Sequence, residues 1–302
     1  MEKENTQEVI IIGGSYSGLS AAMALGRAGR SVLIVDSGKP CNAQTPHSHN
    51  FLTQDGQTPA AIAAKGLAEV LQYPTVSHLN DLVTEAFKTD YGFELKTAAG
   101  KSLAAKKLLF ATGVKDLMPE IKGFAECWGI SVIHCPYCHG YEFSGQKTAL
   151  LSNGDIAFHF IQVLSQWTKE LVLYTNGPVQ LNEEQLLQLQ NHGIPVIDTP
   201  VKELLHEHGH LKSLLLADGQ EHFFQVMYGK IGFEQHSSLP ENLGCEITEQ
   251  GYLLIDDRKQ STVPGVYAAG DNTTMARSVS MAVASGTLSG VSINAALISE
   301  SW

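Results

Sequence analysis

The stretch that decides the fold runs from Val9 to Asp36 and reads VIIIGGSYSGLSAAMALGRAGRSVLIVD. It opens with the β-branched run Val9–Ile12, which is typical of a strand buried on both faces. A glycine-containing turn, Gly13-Gly14-Ser15-Tyr16-Ser17-Gly18, leads into a helical pattern, and a second apolar run ends in Asp36. This order of strand, turn, helix, strand and acid predicts a dinucleotide-binding βαβ unit.

Each motif position has a physical reason. Gly13 permits a tight turn, and Gly18 lets the helix pack closely against the strand. The helix N-terminus then faces a pyrophosphate, while Asp36 can accept a hydrogen bond from a ribose hydroxyl. Ser15 replaces the middle glycine of the GxGxxG pattern, and its small side chain still lets the backbone approach a phosphate. A purely structural βαβ unit remains the alternative.

Length and charge exclude several classes of protein. The chain has 302 residues, of which 43% are apolar, enough for about two domains with full cores. Its formal net charge of −11 disfavours binding to nucleic acid or anionic lipid through electrostatic attraction. We expect no window to be long and apolar enough for a membrane span. We therefore expect no nucleic-acid or membrane partner.

The termini and cysteines suggest a compartment. The first residues, MEKENTQE, contain no apolar core of a signal peptide. Five cysteines, an odd number in a long chain, do not form a disulfide scaffold. We therefore expect any reactive cysteines to act at one site and not as a scaffold of disulfides. This cysteine content is typical of a reducing compartment, so the expected location is the cytoplasm.

Further motifs follow in order along the chain. The apolar run Leu103–Phe110 ends in Ala111-Thr112-Gly113, and Tyr267-Ala268-Ala269-Gly270-Asp271 precedes a final helix rich in small residues. Between them, residues 116–233 have their own alternation of strands and helices and contain Cys135-Pro136-Tyr137-Cys138.

These four motifs in this order resemble the low-molecular-weight thioredoxin reductase family of flavoproteins, over essentially the whole chain. The resemblance implies an α/β fold with two Rossmann-like dinucleotide-binding domains. The FAD-binding domain would comprise residues 1–115 and 241–302. A central NAD(P)H-domain-like module, residues 116–240, would be inserted into it and carry the CxxC pair. The family also implies a homodimer.

The resemblance assigns an FAD site residue by residue. Gly13, Gly14, Ser15 and Gly18 would meet the FAD pyrophosphate, and Asp36 the adenosine ribose. Two further contacts are expected of Asn50, in a turn beside an aromatic residue, and of the backbone of Val83 near the adenine. The remaining expected cofactor residues lie in the later motifs: Ala111, Thr112, Gly113, Gly270, Asp271, Ser278 and Val279.

Cys135 and Cys138 carry the predicted chemistry. Two thiols separated by two residues at a helix start can close a small disulfide ring, and the helix N-terminus favours the reactive thiolate. By resemblance, Cys138 would lie against the flavin, and Cys135 would exchange with the substrate. His139 stands where thioredoxin reductases have an acidic proton-transfer residue, and a histidine titrates near neutrality. His134 is a second, less favoured candidate.

Two other functions fit the same string. CPYCH matches the C-x-x-C-H pattern of c-type haem attachment, but no export signal or haem domain accompanies it. A zinc site could use both cysteines and a histidine, but no second CxxC completes it. We therefore predict no metal.

The central module lacks the signals of an NADPH site. Its turn reads Ser152-Asn153-Gly154-Asp155-Ile156-Ala157, so Ser152 replaces the first glycine of the family's GxGxxA motif. No arginine occurs from Gly123 to Tyr228, although a 2′-phosphate needs cationic partners. The sequence therefore predicts a retained fold without a strong NADPH site.

The strings HNFLTQDG and CPYCHGYE resemble most the branch of the family that includes FAD-dependent dithiol oxidases of the gliotoxin and holomycin type. The primary hypothesis is an FAD-dependent thiol–disulfide oxidoreductase without NADPH, acting as a dithiol oxidase or fed by another electron partner. An NAD(P)H-dependent disulfide reductase is the alternative, and a non-catalytic flavoprotein is a third. The substrate would be a small dithiol or disulfide, or a thioredoxin-like protein.

Overall fold

The computed structural model describes residues 6–302. Eight α-helices occur in this part of the chain, and a short 3-10 helix covers Asp271–Thr273. In chain order the α-helices are α1 (Tyr16–Arg27), α2 (Pro59–Val70), α3 (Phe124–Cys127), α4 (Pro136–His139), α5 (Gly154–Leu164), α6 (Glu183–Asn191), α7 (Leu239–Asn242) and α8 (Val279–Ser301).

The same residues form seventeen strands. They are β1 (Thr6–Ile12), β2 (Val32–Asp36), β3 (Val76–Asn80), β4 (Val83–Thr89), β5 (Gly92–Thr97), β6 (Ser102–Phe110), β7 (Val114–Asp116), β8 (Val132–Ile133), β9 (Thr148–Leu151), β10 (Leu171–Tyr174), β11 (Val196–Ile197), β12 (Val201–Glu207), β13 (His210–Leu216), β14 (Glu221–Phe223), β15 (Val226–Gly229), β16 (Phe233–Gln235) and β17 (Val266–Ala268).

The chain folds into two compact units. The first comprises the described residues up to Ala43 together with Phe51–Lys115 and Phe233–Trp302, and the second comprises Gln44–Asn50 and Asp116–Gly232. The sequence prediction draws the second boundary after residue 240 and assigns residues 44–50 to the FAD-binding domain. The observed division places that short segment with the central unit instead.

A seven-stranded sheet forms the centre of the first unit, in the order β3-β2-β1-β6-β5-β4, with β17 also pairing β6. Strands β3, β2, β1, β6 and β17 are parallel, whereas β5 and β4 are antiparallel. Side chains alternate between two cores, with Ile11 and Ile34 on one face and Ile10 and Ile12 on the other. Both faces are covered, as a largely parallel sheet requires.

The second unit has a parallel five-stranded sheet in the order β11-β10-β9-β15-β8. Helix α5 crosses between β9 and β10, and α6 between β10 and β11. A separate antiparallel sheet contains β12, β13 and β14. The predicted α/β class with two Rossmann-like units is confirmed by this topology together with the comparisons reported below.

Helix α8 corrects one sequence expectation. Its 23 residues are long and apolar enough to cross a membrane by length and composition, so the expectation that no segment reaches this length is wrong. The helix passes this test because it is rich in small residues, and these residues let it pack closely against α1. A Cβ on Gly290 would lie 2.7 Å from the carbonyl oxygen of Ala21, and one on Gly286 would contact that of Ser17. The apolar composition thus follows from close packing on α1.

Candidate functional site

The motifs of the first unit meet at the carboxyl edge of its sheet. The backbone N–H of Gly13 donates to the Val35 carbonyl at 2.9 Å, and that of Ala111 donates to the Ile12 carbonyl at 2.8 Å. Ala269 N–H donates to Phe110 at 3.0 Å. These bonds bring the glycine turn, the Ala111–Gly113 segment and the Gly270-Asp271 pair side by side at the edge where open α/β sheets bind ligands.

The glycine turn has the predicted geometry. Gly13 has a φ of +108°, a conformation that L side chains rarely adopt. A Cβ on Gly18 would contact the carbonyl oxygen of Gly13, so this glycine permits the close approach of α1 to β1. The tight turn at Gly13 and the close packing at Gly18 are the two features expected of this glycine motif.

The N-terminus of α1 is not capped by its own N-cap side chain. Ser15 is the N-cap residue, and its hydroxyl makes no capping hydrogen bond. The carboxylate of Asp36 accepts from the backbone N–H groups of Gly14 at 2.9 Å and Gly38 at 3.2 Å, neither of which belongs to α1. Each carboxylate oxygen keeps a second lone pair, so Asp36 can still accept from a ribose hydroxyl.

Thr112 provides an independent sign of a ligand. Its hydroxyl oxygen is buried and has no hydrogen-bond partner within residues 6–302, an arrangement that is unfavourable unless another group completes it. Gly113 beside it has a φ of +65°. These features suit a polar ligand at this edge, and the residues present therefore fit FAD.

The other predicted cofactor residues lie in several places. Asp271 begins the 3-10 helix, and its Oδ2 is 3.6 Å from Nε of Arg277. Ser278 is the N-cap of α8 and accepts from Met281 N–H at 3.3 Å, with Val279 as the first helical residue. Val83 is buried at the start of β4 in the first unit. Asn50 belongs to the second unit, and its predicted contact with the cofactor stays a prediction.

The reactive centre lies in the second unit. Cys135 and Cys138 are joined by a disulfide, with their Cα atoms 5.3 Å apart. Cys135 is the N-cap of α4, and Pro136 occupies the first turn, where its missing N–H and fixed φ suit a helix start. The one-turn helix thus holds both sulfurs at its beginning.

His139 ends this helix and lies among other titratable groups. Burial and the nearby His49 imidazole lower the pKa of His139, while the Glu142 carboxylate partly opposes this shift. The neutral imidazole is therefore favoured, and a neutral imidazole can accept a proton from a thiol. This agrees with the predicted role of His139 as a proton carrier but does not test it.

The residues next to the cysteines in the chain pack against aromatic rings of the second unit. His134 stacks on Trp128 with ring centroids 5.6 Å apart, and the Trp128 indole N–H donates to Asp116 at 3.1 Å. Tyr137, between the cysteines, meets Trp167 edge to face at 5.5 Å. The stack fixes the His134 ring, so this residue has a packing role that the sequence did not indicate.

The second dinucleotide turn is closed by its own side chain, a feature that sequence reasoning missed. Asn153 is the N-cap of α5, and its Oδ1 accepts from the N–H groups of Gly154 and Gln180, both at 2.9 Å. Its Nδ2 donates to the carbonyl of Pro178 at 2.9 Å. An asparagine directly before a helix was the available signal, since asparagine is a preferred N-cap.

Nothing at the cysteine pair completes a metal site. Within residues 6–302, no group of three or more histidine, cysteine, aspartate or glutamate side chains is arranged to hold an ion. Outside the disulfide, the described cysteines are Cys41, which is exposed, and Cys127 and Cys245, which are buried. Burial raises the pKa of the Cys127 thiol to about 11, so this thiol is unreactive.

Comparisons with known proteins agree with this architecture. A family model described as pyridine nucleotide-disulphide oxidoreductase matches residues 7–286. The thioredoxin reductase sirT of Leptosphaeria maculans is 31% identical over 305 residues, covering 95% of this chain and 93% of that protein. The thioredoxin reductase tcpT of Claviceps purpurea is 32% identical over 311 residues, covering 99% and 97%.

The fold of this chain also matches that of a solved structure. The crystal structure of HlmI matches with a TM-score of 0.92 and 31% identity, over 100% of this chain and 95% of that one. The resemblance predicted from the four ordered motifs is confirmed. The chain therefore belongs to the pyridine nucleotide-disulphide oxidoreductase family and is a thioredoxin reductase-like enzyme acting on disulfides.

Proposed function

We propose that this protein is an FAD-dependent thiol–disulfide oxidoreductase that uses the Cys135–Cys138 pair and does not use NADPH. It works as a dithiol oxidase or is supplied by another electron partner. The observation that carries the proposal is the contrast between two helix N-termini. The Ser15 side chain leaves the first turn of α1 uncapped, whereas Asn153 bonds to the first turn of α5.

The charges around the N-terminus of α5 also make it a poor phosphate site. Helix N-termini bind phosphates through free N–H groups and the helix dipole. At α5, the N–H of Gly154 already donates to Asn153, and Asp155 adds a carboxylate to the first turn. No lysine or arginine occurs from Leu171 to Gln190, so this loop offers no cation to the 2′-phosphate of NADPH.

The first unit supplies the proposed FAD residues. The glycine turn from Gly13 to Gly18, at the N-terminus of α1, would hold the pyrophosphate, Asp36 the ribose, and Thr112 a polar group of the cofactor. Asp271 and the start of α8 complete the set. A bound FAD would supply the two-electron redox chemistry that links the reduced cysteine pair to an acceptor such as dioxygen.

The chain's own residues carry out the thiol exchange. A substrate thiolate attacks Sγ of Cys135, the Cys135–Cys138 bond breaks, and Cys138 leaves as a thiolate. The second substrate thiol then attacks the mixed disulfide and releases Cys135, so the substrate becomes a disulfide and the enzyme a dithiol. His139 accepts the proton that a substrate thiol loses before attack.

The proposed substrate is a small dithiol, with a thioredoxin-like protein as the other partner class. Tyr137, within the cysteine helix, and Tyr141, two residues after it, have 69% and 84% of their surfaces exposed. Exposed aromatic surface beside a reactive disulfide suits a compact substrate with apolar faces. Steady-state oxidation of a panel of small dithiols and of reduced thioredoxin, with peroxide formation as readout, distinguishes the two classes.

The proposal is tested by anaerobic titration of the flavin-loaded protein with NADPH, NADH and dithiothreitol, while the flavin absorbance is recorded. We expect dithiothreitol to bleach the flavin and neither nicotinamide to do so. Rapid stoichiometric bleaching by NADPH or NADH would establish the alternative, a nicotinamide-dependent reductase. That alternative is favoured by Gly154, whose φ of +65° retains a glycine turn, and by the buried Ala157.

We further propose that the enzyme is a cytoplasmic homodimer. Helix α8 exposes an apolar stripe at alternating spacings of three and four residues, which is the pattern of a helix–helix contact. The largest members of this stripe are Met281, Leu288, Val291 and Ile298. Sedimentation velocity should give a dimer that Leu288→Glu weakens and Ser299→Glu does not. A monomeric wild type would remove this part of the proposal, and cell fractionation tests the compartment.

A further inference from the structure

A short loop from the first half of the sequence packs against the reactive centre within the second unit. Residues 44–50 read QTPHSHN and belong to that unit. The Gln44 side-chain amide donates to the carbonyls of Trp128 and Ala125, the latter at 3.3 Å. Ser48 is buried. The loop is therefore held in place at both its start and its centre.

This loop places an imidazole beside the predicted proton carrier. The ring of His49 lies edge to face with that of His139, with centroids 6.3 Å apart. Nδ1 of His49 lies 3.4 Å from Oε1 of Glu142, three residues beyond His139. Two side chains that flank His139 are thus paired with each other, one from the loop and one from the segment after α4.

We propose that His49, oriented by the Glu142 carboxylate, is a positioning residue for His139 in thiol–disulfide exchange at Cys135–Cys138. This inference rests on the proposed function and adds a residue to it. His49 packs against the His139 ring and restricts its orientation. Any positive charge on His49 disfavours a second charge on His139, so His139 is kept as a neutral proton acceptor.

The step it assists is balanced without any further reactant. The thiol proton moves from substrate sulfur to an imidazole nitrogen of His139, and the resulting thiolate forms a bond to Cys135 while the bond between Cys135 and Cys138 breaks. The two electrons that leave the substrate dithiol reduce this disulfide. His49 contributes by setting the orientation and charge of the acceptor, not by touching the substrate.

Titratable groups from the loop and from the segment after α4 enter the expected pH dependence of His139. The loop contributes His49 and, 6.4 Å from it, His47. The segment after α4 contributes Glu142, which raises the pKa of His139, whereas His49 lowers it. Tyr228 of β15 interacts with Glu142, and burial and this carboxylate raise the pKa of its hydroxyl, so it is neutral throughout the relevant range. His49 and Glu142 therefore act on His139 with opposite signs.

The test follows the reduction of the Cys135–Cys138 disulfide by dithiothreitol in the purified full-length protein. Samples are quenched with iodoacetamide at intervals and analysed by mass spectrometry, from pH 5 to pH 9. We expect His49→Gln to move the inflection of the rate–pH profile to higher pH, because His139 then keeps a higher pKa. The rate of disulfide reduction at pH 7 should fall by roughly 10-fold. This loss is smaller than the roughly 10²–10⁴-fold expected when His139 itself is removed. Glu142→Gln should move the inflection to lower pH.

His159→Gln is the matched control, because His159 is an exposed histidine on α5 in the same unit. It should reproduce the wild-type profile. If His49→Gln also reproduces that profile, or if both site variants shift it in the same direction, the positioning role is overturned. If His49→Gln does not fold, His49→Asn, which keeps a hydrogen-bonding group near Glu142, is judged by the same criteria.

The assay also separates this inference from the proposed function, because it requires neither flavin turnover nor a terminal acceptor. Opposite shifts in a protein that oxidises no dithiol aerobically would overturn the dithiol oxidase proposal alone. An active oxidase with unshifted variants would overturn the positioning role alone.

Discussion

The side-chain Oδ1 of Asn153 accepts a hydrogen bond from the backbone N–H of Gln180 at 2.9 Å. The same oxygen accepts from Gly154 N–H, so one amide joins the turn after β9 to the loop after β10. This is the carboxyl edge of the parallel sheet in the second unit, where such sheets bind their ligands. The protein thus fills part of that edge with its own side chain.

Replacing this cap should destabilise the second unit. We expect Asn153→Ala to lower the free energy of unfolding by about 0.5–2 kcal/mol, the usual range for loss of an N-cap. The loop after β10 should also become more accessible to protease, because it loses the bond to Gln180. Urea unfolding measures the first effect and limited proteolysis the second. Asn191→Ala, at the exposed end of α6, is the control, and equal stabilities for the two variants would contradict the capping role.

The two cysteines should differ in reactivity. In a Cys41→Ser background, which removes the exposed thiol outside the disulfide, we expect the lone Cys135 of Cys138→Ser to react faster with Ellman's reagent than the lone Cys138 of Cys135→Ser. The reason is that Cys135 is expected to be the sulfur that meets the substrate. The release of thionitrobenzoate gives both rates. A faster Cys138 would reverse the proposed order of exchange.

Loss of His139 should slow exchange and change its pH dependence. Burial lowers the pKa of His139. The imidazole is therefore a neutral base at pH values above this lowered pKa, and it becomes protonated, and inactive as a base, as the pH falls below that pKa. We expect His139→Ala to reduce turnover by roughly 10²–10⁴-fold and to remove the acidic limb of the rate profile. Turnover of a small dithiol measured across pH tests both effects. An unchanged acidic limb would assign it to another group.

We expect the hydroxyl of Thr112 to contribute to FAD binding and not to the stability of the flavin-free protein. Thr112→Val removes a buried hydroxyl that has no partner within residues 6–302, so the flavin-free protein should lose no stability. FAD binding should weaken by about 0.5–1.5 kcal/mol, the net value of one hydrogen bond. Thermal unfolding of the flavin-free form and fluorescence titration with FAD provide the two measurements. Unaltered FAD affinity would exclude Thr112 from the site.

Two glycines should respond in opposite ways to the same substitution. A Cβ on Gly18 would contact the carbonyl oxygen of Gly13, so Gly18→Ala should separate α1 from β1 and destabilise the first unit by about 1–3 kcal/mol. Gly66→Ala, in α2, meets only the end of the Leu19 side chain at 3.3 Å and should be neutral or stabilising by up to about 1 kcal/mol. Urea unfolding compares them. Equal losses would show that close packing at Gly18 is unimportant.

The fold could be predicted because its signals are local. The run Val9–Ile12 forms β1, the glycine turn leads into α1, and Asp36 ends β2, all within one stretch of chain. Hydrophobic runs and glycine turns depend on neighbouring residues, so sequence order suffices to recognise them. The expectation of no apolar segment of membrane-spanning length fails at α8, whose small residues serve close packing on α1.

The candidate site was only partly accessible to sequence reasoning. The CxxC spacing indicated the disulfide between Cys135 and Cys138, which the structure contains. The weakened nucleotide site that the lack of arginine indicates stays a prediction. Asn153 was overlooked, because a sequence does not reveal which acceptors and donors a side chain will meet. The predicted FAD residues remain predictions, although most of them lie in the first unit.

The sequence by itself determined the local elements: the βαβ unit, the turn geometry at Gly13 and Gly18, and a helix start with two thiols one turn apart. These depend on backbone preferences and on spacing along the chain. Only the tertiary structure decided that His49 lies beside His139 and that Asn153 is bonded to Gln180. Such contacts join residues that are distant in sequence, and they form only when packing of the whole unit offsets the entropy of bringing them together.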